Sequence, residues 1–277
     1  MQQRLGWHDI PAEVRAAIGT RTGPISQVRT ASGGANSALA AVVDGVGGRF
    51  FVKGVRHATH AGIAAHRREA AVAPHVARVA PALRWRLPEV AGWDVLGFDA
   101  VDARHADYRP GSTDLPAVVE LLQTVGEIPC PPQEVTITDA VRRWGPYLPE
   151  GAEPAQLVGD ALLHTDYNPE NVLITSDGTA RLIDWAWAAR GAPWIDPCCL
   201  LLQMIADGHN PASAEHWASR TPAWHTARPR DLDAFAAASL LLWQEIADQD
   251  PHRTWTRDMA FAAHAWCQAR EARRRHD

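Results

Sequence analysis

Asp166, Asn171 and Asp184 stand close together in the sequence, with His164 just ahead of them. Two short apolar runs, Val172 to Thr175 and Ala180 to Ile183, lie between the last two and are joined through Ser176-Asp177-Gly178. Asp-Gly between such runs is a strong signal for a hairpin with a two-residue turn. With Asp177 and Gly178 as the turn residues, Asn171 falls opposite Asp184. Directly opposed residues have Cβ atoms about 4.5–5.5 Å apart. An amide oxygen and a carboxylate at that spacing can share one hard cation, which prefers oxygen ligands. Asp166 sits just upstream, on a segment that Pro169 keeps from being helical. The stretch therefore predicts a metal pair with a free carboxylate beside it.

A second group lies near the N-terminus. Lys53 is the only lysine, against 26 arginines. A compact ammonium enters a tight phosphate site that a planar guanidinium would overfill. Lys53 ends the apolar run Phe50-Phe51-Val52 and follows Ser32-Gly33-Gly34-Ala35-Asn36, where glycines allow backbone N–H groups close to an anion. In that order the features indicate a nucleotide-phosphate site.

The elements that must position these groups fall into two parts. Ile25 to Ala31, Ala38 to Val43, Arg49 to Lys53 and Trp93 to Phe98 read as strands, and Ala61 to Val79 as a helix. This predicts a small antiparallel sheet with one helix over residues 1–98. Beyond a connection at 99–103, residues 104–277 turn helical. Leu115 to Val125 has one apolar face, Ile195 to Ile205 reads as a buried helix, and stripes run from Leu232 to Ala247 and from Met259 to Ala269. Asp196 reads as an N-cap of the buried helix. The expected class is α+β in two lobes.

Composition narrows the function. With 21% charged and 46% hydrophobic residues in 277, the chain can bury a sizeable core. A net charge of −5 gives no electrostatic reason to expect nucleic acid or an anionic membrane. No apolar run is long enough to span a bilayer and no signal peptide is apparent. Cys130, Cys198, Cys199 and Cys267 lack metal-ligand spacing and read as reduced thiols of a cytoplasmic protein. Eight of the twelve tryptophans lie between Trp185 and Trp266, as core or as walls of a ligand site.

Gly-Gly-x-Asn, a strand lysine, a helix glutamate (Glu69), His-x-Asp-x4-Asn and Ile-Asp-Trp, in this order, resemble the aminoglycoside phosphotransferase and choline kinase-like family over roughly residues 25–200. The resemblance implies a protein-kinase-like fold and transfer of phosphate from ATP or GTP, with Mg²⁺, to a hydroxyl of a small molecule. It implies that Lys53 binds the α- and β-phosphates and pairs with Glu69, which could otherwise be an exposed helical charge. Ser32, Gly33, Gly34 and Asn36 would cover the phosphates, and Asp99 and Val101 would offer backbone groups to adenine. Asn171 and Asp184 would hold Mg²⁺, Asp166 would accept or orient the acceptor proton, and His164 would support the loop.

Thr165 stands where protein kinases carry arginine, and Trp185-Ala186 follows the metal aspartate, which argues against a kinase regulated by an activation loop. For the acceptor, Asp207, Glu215, Glu245, Asp248 and Asp250 could face a polycationic aminoglycoside, whereas the tryptophans would suit a sugar or nucleoside ring. An antibiotic is the first expectation and a metabolite (amino alcohol, sugar or fructosamine) the second. A catalytically silent nucleotide-binding protein is the third.

Overall fold

The computed structural model describes residues 4–31, 37–57 and 60–275. The first part comprises α1 (Ala12–Thr22), β1 (Ile25–Thr30), β2 (Leu39–Gly45), β3 (Gly48–Arg56), α2 (His60–Val72), β4 (Leu83–Val90) and β5 (Trp93–Asp99). Its strands form one antiparallel sheet in the order β1-β2-β3-β5-β4. Side chains alternate across a strand, and the sequence uses both faces. Leu39, Ala41, Val43, Phe50, Val52 and Val95 enter a core with Ile10, Val14 and Ile18 from around α1. Ala40, Val42, Phe51, Lys53 and Phe98 face the other way and line a cavity.

Two elements escape a period-based reading. α1 is alanine-rich and buries only Val14, Ile18 and Thr22, spaced four apart, so its stripe is narrow. β4 carries Arg84, Arg86 and Pro88, which look unlike a strand. It is an edge strand, where proline and charge are tolerated, and its arginines pair with Asp99 and Asp94 of β5. The α2 helix also stops at Val72 and not at Val79, because Pro74 turns the chain into a 3-10 turn over Ala73–His75.

The second part follows with β6 (Ala103–His105), α3 (Leu115–Gly126), β7 (Thr138–Asp139), α4 (Ala140–Trp144), β8 (Ala161–Leu163), β9 (Val172–Thr175), β10 (Ala180–Leu182) and β11 (Ala189–Gly191). Four helices complete it: α5 (Ile195–Ala206), α6 (Pro211–Ala218), α7 (Pro229–Gln249) and α8 (Thr254–Arg274). Its core is the larger one, and it also takes Val72, Val76, Val79 and Ala80 from the segment after α2. Most of the tryptophans after residue 184 are core: Trp185, Trp194, Trp224, Trp243 and Trp266 are buried.

The β9–β10 hairpin forms, but one residue out of the expected register. Val172 pairs with Leu182, Leu173 with Arg181 and Ile174 with Ala180. Thr175 N–H donates to Thr179 O (3.0 Å) and Gly178 N–H to Thr175 O (2.9 Å), so the loop has three residues. Gly178 takes φ 82°, open to glycine at no steric cost. Asn171 therefore faces Ile183, whose N–H donates to the Asn171 carbonyl (2.9 Å). Asp184 falls one place beyond, at φ 60°, ψ 61°. A one-residue slip reverses the face of every strand side chain. The left-handed turn at Asp184 re-aims its carboxylate.

The helix packed beside the sheet holds a titrating weak point. His66, on α2, is 2% exposed. Among the described residues neither ring nitrogen makes a hydrogen bond, and Nε2 stays 3.6 Å from Asp94 Oδ1. Burial, aided by the charges of Lys53 and Arg86, lowers its pKa to about 4, against the pull of Asp94 and Asp184. Unfolded, the ring takes its proton near 6.5. Between these values the unfolded chain binds more protons, so stability falls as pH drops from about 6.5 towards 4, by about 3 kcal/mol in all. Urea unfolding across this range should show that loss, and His66→Leu should flatten it.

Candidate active site

A cavity of about 410 Å³ lies between the sheet and the β9–β10 hairpin. Lys53, Glu69, Asp99, Val101, Asn171 and Asp184 all border it. Lys53, central in β3 opposite Ala40 and Leu96, reaches into this space. Its Nζ lies 2.8 Å from Glu69 Oε2 of α2 and 2.8 Å from Asp184 Oδ1 after β10. Burial alone would lower the pKa of Lys53, but Asp184 and Glu69 together raise it above the usual value. Burial pushes Glu69 up in spite of the ammonium, whereas Lys53 overcomes burial to hold Asp184 down. Arg68, beside Glu69 on α2, donates to the Ala186 carbonyl and ties the helix to the turn after Asp184.

The Asp99 carboxylate is held by Arg84 through two bonds of 2.7 Å. Ser32, Gly33, Gly34 and Asn36 lie outside the described residues. Arg4, Phe98, His105 and Trp185 also border the cavity. Arg4, Phe98 and His105 carry no sequence signal of a site, whereas Trp185 belongs to the Ile-Asp-Trp motif and to the tryptophans read as core or as walls of a ligand site.

The loop bearing Asp166 is over-determined. Thr165 sits at φ 66°, an unfavourable conformation for a β-branched residue, worth about 1–3 kcal/mol of strain. Asp196, 3% exposed, holds it there. Its carboxylate accepts from His164 N–H (2.8 Å), Thr165 N–H (2.9 Å) and the Tyr167 hydroxyl (3.2 Å). The expectation that Asp196 is an N-cap is thus corrected: Trp194 takes that position, and the Asp196 side chain turns back to the loop because two buried N–H groups there need an acceptor.

His164 is fully buried, and burial lowers its pKa. The neutral ring is placed to donate from Nε2 to Ile183 O (2.9 Å) and to accept at Nδ1 from Asp166 N–H (3.3 Å). Asn171 Nδ2 donates to the Asp166 carbonyl (3.1 Å). Asp166 itself is pushed up by burial and by the charge of Asp184, with Arg143, Asn171 and the Asn168 N–H opposing. A carboxylate so placed suits proton acceptance.

Three of the acidic residues expected to face a polycation are placed or engaged otherwise. Glu215 is buried and bound by Trp266 Nε1 (2.8 Å), Arg270 (3.4 Å) and Arg273. Glu245 accepts from the Tyr147 hydroxyl (2.8 Å), and Asp207 borders a separate surface hollow with Asp107 and Arg109.

Comparison with solved structures decides the architecture. Choline kinase LicA from Streptococcus pneumoniae superposes with a TM-score of 0.63 at 13% identity, covering 92% of this chain and 98% of that one. The macrolide 2′-phosphotransferase MphH from Brachybacterium faecium gives 0.55 at 15% identity over 91% and 98%. A thermostable mutant of aminoglycoside phosphotransferase APH(4)-Ia, in ternary complex with ADP and hygromycin B, gives 0.58 at 18% identity over 94% and 98%. The chain has the two-lobed, protein-kinase-like fold of these enzymes. The first part is its N-lobe, and the larger, mainly helical part its C-lobe. No protein-family model and no curated protein matches the sequence.

Removing the clamp should expose its worth. Asp196→Ala leaves two backbone N–H groups and a phenol without an acceptor and is expected to cost about 3 kcal/mol. Urea titration measures this, with a shift of loop amides His164 to Asp166 in hydrogen exchange as the local signature.

Proposed function

We propose that this protein is a nucleoside-triphosphate-dependent phosphotransferase acting on a hydroxyl group of a small molecule. The observation that carries the reading is Lys53 Nζ, 2.8 Å from both Glu69 and Asp184 in the wall of the inter-lobe cavity. Phosphoryl transfer asks mainly for placement and charge neutralisation, and this arrangement supplies both. Lys53 would exchange part of its hold on Asp184 for the α- and β-phosphates of ATP or GTP. Ser32, Gly33, Gly34 and Asn36 would close over them, and the backbone of Asp99 and Val101 would meet the base.

Asn171 and Asp184 would hold Mg²⁺. The donor set fits, being all oxygen: the Asn171 Nδ2 bond to the Asp166 carbonyl leaves Oδ1 as the free end of the amide. Among the described residues no cluster of three His, Cys, Asp or Glu is placed to hold a metal, and Mg²⁺ commonly takes one or two protein oxygens plus phosphates and water. Bound there, the ion would neutralise phosphate charge. Asp166 would align the acceptor hydroxyl and take its proton, while Asp196 and His164 keep the loop in place.

A choline kinase, a macrolide phosphotransferase and an aminoglycoside phosphotransferase share this fold yet take chemically different acceptors, so the acceptor must be argued from this chain. With Glu215 and Glu245 engaged by other side chains, an uncharged or anionic antibiotic or metabolite fits better than a polycationic aminoglycoside.

Asp166→Asn should lower transfer about a thousandfold while Mg·ATP affinity stays nearly unchanged, read as product mass and calorimetric Kd. Full turnover by that variant would remove Asp166 from the mechanism. Mg·ATP binding by the wild type without any phosphorylated product across a broad panel of hydroxyl compounds would favour the silent nucleotide-binding protein.

A further inference from the structure

Arg143 stands beside the Asp166 loop, and the transfer step does not employ it. It belongs to α4, whose start is fixed by Asp139 accepting from Val141 N–H (2.7 Å). One terminal nitrogen donates to Thr165 Oγ1 (2.7 Å), and that hydroxyl in turn donates to the Trp187 carbonyl (3.0 Å). The guanidinium carbon lies 4.8 Å from the centroid of the Trp144 ring and 5.5 Å from that of Trp187. Trp144 is buried, whereas Trp187 remains 44% exposed. Neither Arg143 nor Trp187 borders the cavity of Lys53, Asn171 and Asp184. In-line transfer sets the acceptor across the moving phosphoryl group from the nucleotide. Arg143 and Trp187 lie outside that cavity and adjoin the Asp166 loop, where an acceptor aligned by Asp166 would approach.

Charge gives this position its meaning. Arg104, Arg109 and Arg228 each have an aspartate partner. Arg143 meets a hydroxyl and two indoles, and among the described residues no carboxylate lies within ion-pair distance of it. Its charge is close enough to oppose the rise of Asp166. Aromatic contacts hold a guanidinium flat and cost it little hydration, leaving the in-plane donors of Nε and Nη2 as a fork suited to a carboxylate or a phosphate. The same charge repels an ammonium.

We propose that Arg143 and Trp187 form the acceptor subsite, and that the acceptor is a hydroxyl compound bearing an anionic group. Arg143 binds the anion and the exposed face of Trp187 covers the adjoining apolar surface. This rests on the phosphotransferase reading and goes further by naming the charge class of the substrate.

The test uses the full chain saturated with Mg²⁺ and a non-hydrolysable ATP analogue. Two probe sets of similar size differ in charge: glucuronate, glucose 6-phosphate, glucose and glucosamine; and glycerate, glycerol and ethanolamine. In calorimetry the anionic members should bind roughly tenfold or more tightly than the neutral ones, as a charge-assisted fork predicts, with the cationic members weakest. Glucuronate against glucose 6-phosphate separates a carboxylate from a phosphate preference. Arg143→Lys should fall between wild type and neutral behaviour. Arg143→Glu should invert the order in favour of the amines, a gain that a folding defect cannot imitate. Equal binding of charged and neutral probes, no probe binding to nucleotide-loaded protein, or an order that survives Arg143→Glu would each overturn the subsite. Failure of the wild type to bind Mg·ATP analogue at all would instead overturn the phosphotransferase reading.

Discussion

One buried ammonium joins the two lobes. Lys53 belongs to the sheet, Glu69 to the helix beside it and Asp184 to the far side of the cleft, and each carboxylate is 2.8 Å from the same nitrogen. Removing three charges from water is costly, and only close mutual contact offsets that cost. The trio sets two carboxyl groups against one ammonium in the wall of the cavity. Much of the surrounding structure serves this arrangement. Ala40 leaves room beside the lysine, and Arg68 anchors α2 to the turn after Asp184. The left-handed backbone at Asp184 turns its carboxylate into the cleft. Each can be read as keeping three atoms in one place.

The Asp166 loop is positioned by different means. A single buried carboxylate, Asp196, gathers two backbone N–H groups and a phenol from below, and Arg143 adds a hydrogen bond to the Thr165 hydroxyl. The strain at Thr165 is tolerated because its N–H and its hydroxyl both find partners, the latter on two sides. The Lys53 trio and the Asp166 loop thus rest on different main supports, one electrostatic across the cleft and one a hydrogen-bonded clamp within the C-lobe.

The long-period features were legible in the sequence. α3, α7 and α8 follow apolar stripes, α5 and the central strands are short apolar runs, and Lys53 stands out as a lone lysine among arginines. Local geometry was less so. Asp177-Gly178 announces a hairpin but does not say whether two or three residues make its loop, and that one-residue ambiguity misplaced Asn171 against Asp184. Asp196 reads as a cap because capping is the common use of an aspartate at a helix start. Its true partners lie about thirty residues away in sequence, where no local pattern reaches. Arg143 hides within Arg142-Arg143 as an ordinary helix-end charge. Only the meeting of α4 with the turn at Trp187 gives it a role.

The solitary lysine has a chemical consequence. Lys53 carries the only side-chain amine of the chain, buried and gripped by two carboxylates. An acylating reagent can reach it only when the cleft opens and the grip loosens. Its modification rate therefore clocks that opening, and a bound nucleotide would stop the clock. The composition that made this residue conspicuous also makes it a built-in reporter of the cleft's own breathing.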